Sequence, residues 1–181
     1  MWSALSDIVA RVYLNDRPLE ELWQQLQDRH NDRAPMDVLR VVASLCGGRA
    51  PDALYCMSEE LEGKTVWRVL AVVHASLVEV QVTGPDNLWT HQTGGEGARE
   101  VKARVARLSD EVQAVRVKSV WSLAVRQGVG AMPSPWVVAW SLDLKTSGEF
   151  LLPGAADASS PRQLESAERL AQVILRHLQV P

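Results

Sequence analysis

The chain has 181 residues, enough for one packed domain or one domain with a small appendage, and a formal net charge of -3 that argues against bulk nucleic-acid binding. With 46% hydrophobic and 23% charged residues it has an ordinary globular composition. Cys46 and Cys56 are too few for a disulfide framework or a His/Cys metal site, and no basic region followed by an apolar run opens the sequence, so we expect a cytoplasmic protein with reduced thiols, no cofactor and no membrane span.

Residues 1–50 read as a helical appendage. Leu5, Ile8, Val9 and Val12 share one helix face, and Pro18 ends that helix because proline is tolerated only at a new start. Leu19, Leu22, Trp23 and Leu26 form a second stripe. Pro35 opens a third helix through Val38, Leu39, Val41, Val42 and Leu45, and Gly47-Gly48 closes it. A helix-turn-helix reader of DNA would need a basic recognition helix, and this third helix carries only Arg40, so the three helices are expected to pack on residues 51–181.

From Ala53 the period becomes that of strands. A short strand is expected over 53–57, an acidic turn over 58–64, and a central strand buried on both faces over 65–73. Val78, Val80 and Val82 alternate with Glu79 and Gln81, a half-buried strand that Gly84-Pro85 ends. Residues 88–98 read as an exposed loop. Val101, Ala103 and Val105 alternate with Lys102 and Arg104, and Val115 and Val117 with Arg116 and Lys118; residues 120–125 continue past a bend. The Gly- and Pro-rich stretch 127–135 reads as a loop. Trp136, Val138, Trp140 and Leu142 share a strand face, and Lys145-Thr146-Ser147-Gly148 makes a hairpin turn. Last comes an amphipathic helix: Ser160 caps it, Pro161 suits its first position and Gln163 sits where a capping box needs an amide or acid. Leu164, Ala167, Leu170, Ala171, Ile174, Leu175 and Leu178 line one stripe, against Arg162, Glu165, Arg169 and Arg176 on the other face. Such a helix needs an apolar surface to cover.

These strands in this order, with the hairpin of residues 136–152 and the plugging helix of residues 160–178, resemble the bacterial pleckstrin-homology-like superfold over residues 53–179. The resemblance implies an α+β fold: N-terminal helices packed on a seven-stranded antiparallel barrel or sandwich capped by a C-terminal helix. It also implies a binding scaffold. Phosphoinositide-binding members place Lys and Arg around the first strand-strand loop, where this chain has Glu59, Glu60 and Glu62 with only Lys64 and Arg68.

No nucleophile motif accompanies His30, His74, His91 or His177, and His177 in the last helical turn suits the helix dipole, so catalysis is not expected. Two groups are candidate binding residues. Lys102, Arg104, Arg116 and Lys118 would share an outward face if their two strands pair, and could hold an anion; a solvated sheet face is the plainer reading. Trp89 and His91, in a polar loop, are either a partner or self-association surface or a loop tucked over the barrel end. We therefore expect a non-enzymatic module that binds a protein partner by a groove or by strand addition at a sheet edge. The alternatives are a binder of anionic lipid or phosphate through the basic face, with a membrane surface not favoured, and an enzyme of unrecognised type.

Overall fold

A computed structural model describes residues 17–28, 30, 32–84, 89–92, 99–122, 136–153 and 160–179. The helix expected over 5–12, the loop over 127–135, the end of the strand expected to reach 125 and the side chain of Trp136 lie outside the described residues.

The fold is α+β. Strands β1 (Ala53–Leu61), β2 (Lys64–Val73), β3 (Ser76–Thr83) and β4 (Glu100–Arg107) form one antiparallel sheet in that order; β5 (Val112–Ser122), β6 (Trp136–Leu144) and β7 (Gly148–Leu152) form a second. Helices α1 (Arg17–Gln25) and α2 (Met36–Leu45) precede the sheets, the single turn α3 (Leu108–Glu111) joins them, and α4 (Pro161–Gln179) follows. The two sheets do not close into a barrel. Because among the described residues β4 pairs only with β3 and β5 only with β6, each ends its own sheet there, and the expected β4–β5 pairing does not occur.

The residues expected as an acidic turn belong largely to β1, which pairs with β2 out to Leu61↔Lys64. Only Glu62 and Gly63 turn, at φ 50° and 76°. A two-residue turn with positive φ at both positions matches the right-handed strand twist, so the ladder zips up to it and Glu59 meets Arg68 at 2.9 Å.

Strand β2 has two buried faces, as its apolar run implies. Trp67, Val69 and Ala71 join Leu54, Cys56, Val78, Val80 and Val82 in a cluster with Leu22, Leu26, Val38, Leu39 and Val42 of the N-terminal region. Leu70 and Val72 point the other way, into a cluster with Tyr55, Leu108, Leu142, Leu152, Leu170 and Ile174 between the sheets and α4. The period of two thus divides one strand between two cores. Each fully buried Leu, Val or Ile contributes about 1.5–3 kcal/mol, which makes both clusters necessary to a fold of this size. Cys46 and Cys56, neither in a disulfide, are buried in the helix-side cluster. Burial pushes the Cys46 thiol up to about 11.

Helix α4 lays Ala167, Leu170, Val173 and Ile174 into the inter-sheet core and buries Ala171 as well. Its first turn does more than cap itself. The buried Gln163 side chain donates to the Gln27 carbonyl at 2.6 Å, and Arg162 reaches Gln27 and the Gln24 carbonyl, tying α4 to the connection between α1 and α2. That connection is held in turn by buried Asp28, whose carboxylate accepts from the Asp32 amide at 3.0 Å and from the Ser58 hydroxyl of β1 at 2.5 Å.

Candidate functional site

Separate sheets take the basic cluster apart, and each of its four cations meets an acid. Lys102 lies 2.9 Å from Glu100, Lys118 lies 2.5 Å from Glu149, and Arg116 pairs with Asp143. Lys118, then Ser141, hold the Glu149 carboxyl below its usual range, and Lys102 does the same for Glu100. A face so balanced has little charge left for an anion.

Arg104 has a structural place. It spans the corner between the sheets, 2.6 Å from Glu79 of β3 and 2.7 Å from Glu111 of α3, and it donates to Ser147 in the β6–β7 turn at 3.1 Å. Glu111, with its side chain 6% exposed, also accepts from the Thr146 amide at 2.8 Å and the Thr146 hydroxyl at 3.1 Å. The Arg104 guanidinium first, then these Thr146 donors, hold the Glu111 carboxyl at about 2 against the opposing effect of burial. The same pairing raises Arg104. This clasp fastens the two sheets where they part.

Trp89 is buried, 2% exposed, so the exposed-loop reading gives way to the tucked one. Its amide donates to Thr65 Oγ1 at 2.9 Å, and its carbonyl accepts from Trp67 Nε1 at 2.8 Å. Gly84 lets the ring this close, because a Cβ there would stand 2.3 Å from it. Arg99 lies over the ring, 4.7 Å from its centroid. His91 packs edge-on against Trp23 at 5.6 Å, and its amide donates to the Arg33 carbonyl at 3.1 Å. Trp89 therefore pins the loop to β2, and His91 pins it to the N-terminal helical region.

What is left open are sheet edges. Val101 and Val105 on β4 are each 47% exposed, and Val117 and Val120 on β5 are 53% and 52% exposed. Register places Val101, Ala103 and Val105 beside Val82, Val80 and Val78, so an apolar row that α2 buries on β3 continues half-exposed onto β4. Val117 and Val120 stand opposite Trp140 and Val138, with a bulge between them. Beyond β4 and β5 no further strand pairs among the described residues, which leaves a line of backbone donors and acceptors on each.

A cleft of about 920 Å³ lies at the other end of the molecule's long β1–β2 hairpin from Glu62-Gly63, between the β2–β3 turn, the approach to β1 and the last turns of α4. Asp52, His74, Arg169, Arg176 and His177 line it. Sequence reasoning missed this grouping because Asp52, His74 and Arg169 lie 22 to 117 positions apart; Arg169, Arg176 and His177 at helical spacing were the one local signal. Among the described residues no group of three or more His, Cys, Asp or Glu could hold a metal ion, and no helix is long and apolar enough to cross a membrane. Comparison with protein-family models, with curated proteins and with solved structures finds no match to the chain.

Proposed function

We propose that the chain is a pleckstrin-homology-like binding module that takes an extended segment of a protein partner as an added strand along β4. The half-exposed valine row carries the reading. A partner strand there would satisfy the unpaired edge of β4 and set its alternate side chains beside Val101 and Val105, extending the row Val78, Val80 and Val82. The order of a four-stranded sheet, a three-stranded sheet and a C-terminal helix supports the family resemblance. Action by binding, not catalysis, is supported by the surroundings of the candidate groups: His74 meets Arg49, His91 meets Trp23, and the Cys46 thiol is held protonated. Two buried cysteines outside any disulfide fit a cytoplasmic setting.

Peptide-display selection on the full chain, followed by affinity measurement, tests this. Selected peptides should bind wild type, lose at least tenfold in affinity against the Val101→Lys/Val105→Lys variant, and bind the Val117→Lys/Val120→Lys variant as wild type. Equal binding to the β4 variant, with its thermal stability unchanged, sinks the β4 assignment.

A further inference from the structure

We propose that the cleft between the β2–β3 turn and the end of α4 binds the phosphate group of a small phosphomonoester. Its charge is the first reason. Arg169 and Arg176 line it, and Arg49 joins at the lip, with Nη1 2.9 Å from His74 Nε2. Against these three guanidiniums stands one carboxylate, Asp52, which accepts from the His74 amide at 2.7 Å. With neutral imidazoles that leaves two positive charges in a chain whose net charge is -3. A phosphomonoester, at roughly -1.5 to -2 near neutral pH, matches them.

The second reason is pairing. Lys102, Arg104, Arg116 and Lys118 on the sheet faces are each matched to an acid, whereas among the described residues no carboxylate reaches Arg49, Arg169 or Arg176. Arg169 instead donates to the Asp52 carbonyl at 3.0 Å, and Arg176 Nε to the Gln172 carbonyl at 3.4 Å. These contacts orient the planar heads yet leave their charges uncompensated, and a guanidinium offers paired donors that suit phosphate oxygens. A guanidinium has no acceptor, so Arg49 must donate to Nε2 and His74 keeps its proton on Nδ1, as a further donor.

Simple structural needs leave much of this grouping unexplained. Cations in the last turn offset a helix dipole, which accounts for Arg176 and His177 but not for Arg169 ten residues before the helix end, nor for Arg49. His74 sits at φ 54° in a two-residue hairpin where glycine is the usual occupant. At about 920 Å³ the cleft is far larger than a bare anion, and Pro51, Ala75 and Val173 give it an apolar wall for an organic group. It also lies about 30 Å along the β1–β2 hairpin from Glu62-Gly63, away from the loop where the family resemblance would put a headgroup.

The test uses the full chain and does not depend on the β4 edge. Thermal shift and calorimetry are read with inorganic phosphate, glucose 6-phosphate and citrate against chloride at equal ionic strength, and sedimentation with phosphatidic acid vesicles against phosphatidylcholine vesicles. We expect stabilisation by phosphate and more by glucose 6-phosphate, and at least tenfold weaker binding in Arg169→Gln/Arg176→Gln, both exposed positions. His74→Gly, which suits the positive φ, should keep or raise the melting temperature while weakening binding. Glucose 6-phosphate binding without vesicle binding assigns a soluble ligand; vesicle binding lost in the double variant assigns a lipid one. No response beyond chloride, a response to citrate alone, or equal binding by the double variant overturns the proposal.

Discussion

Replacing Glu111 with Gln removes one charge from the clasp between the sheets and leaves its shape. A carboxyl held at about 2 against an ordinary 4.5 is favoured in its charged form by about 3.4 kcal/mol. Arg104 is 29% exposed on its side chain, and solvent screens part of this, so about 2 kcal/mol is expected at pH 7. The sign follows from the lowered value: the contribution is fully present above pH 4.5 and is lost as pH falls toward 2. At pH 3 a carboxyl with these two values retains only about 1.4 of the 3.4 kcal/mol, so the gap between wild type and Glu111→Gln should shrink to about 1 kcal/mol or less. Urea unfolding followed by tryptophan fluorescence at pH 7, 5 and 3 measures it, since urea adds no ions. A gap under about 0.5 kcal/mol at pH 7, or one that does not narrow toward pH 3, refutes the clasp.

Arg104→Glu should destabilise by about 3 kcal/mol or more, because it would crowd three carboxylates at a partly buried corner, while exposed Arg116→Glu should stay within about 1 kcal/mol in the same assay. Trp89→Ala should lose about 3–5 kcal/mol, and Gly84→Ala should also destabilise because its methyl would meet the Trp89 ring; thermal melts check both, and a neutral Gly84→Ala would show that the ring can move aside. Leu170→Asp or Ile174→Asp should abolish the folded state, since each places an unpaired charge at a fully buried position; a wild-type melting curve for either would mean α4 does not plug the inter-sheet core. A fragment of residues 51–181 should aggregate, because Val69, Ala71, Val78, Val80 and Val82 lose the helices that cover them, and a monodisperse fragment on size exclusion would contradict this.

The elements whose signal is local were legible in the sequence. Period-two valines marked β3, the unbroken apolar run marked β2 as doubly buried, and the three-and-four spacing from Ala167 to Ile174 marked the buried stripe of α4. What failed was long-range. Alternating Lys102 and Arg104 say which way side chains point but not which strand lies alongside, and β4 and β5 went to different sheets. Gln163 fitted a capping box by spacing, yet the Gln27 carbonyl, 136 positions away, offers its amide a buried acceptor. Trp89 looked exposed because its neighbours are polar; its burial depends on Gly84, Thr65 and Trp67, which only the fold brings together. The cleft residues fall in the same class, since a turn, a strand approach and a helix end meet there.

The two cysteines sealed on the helix side of the first sheet provide a clock. A thiol near pKa 11 is almost wholly protonated at neutral pH and closed to reagent, so Cys46 can be labelled only when α2 lifts from the strands. Cys56, on β1 in the same layer, is exposed by the same event. Neither is exposed when α4 alone leaves the other face. Labelling rates under native conditions therefore report how often the helical layer opens, separately from global unfolding, and would reveal whether the two faces of one strand breathe together or apart.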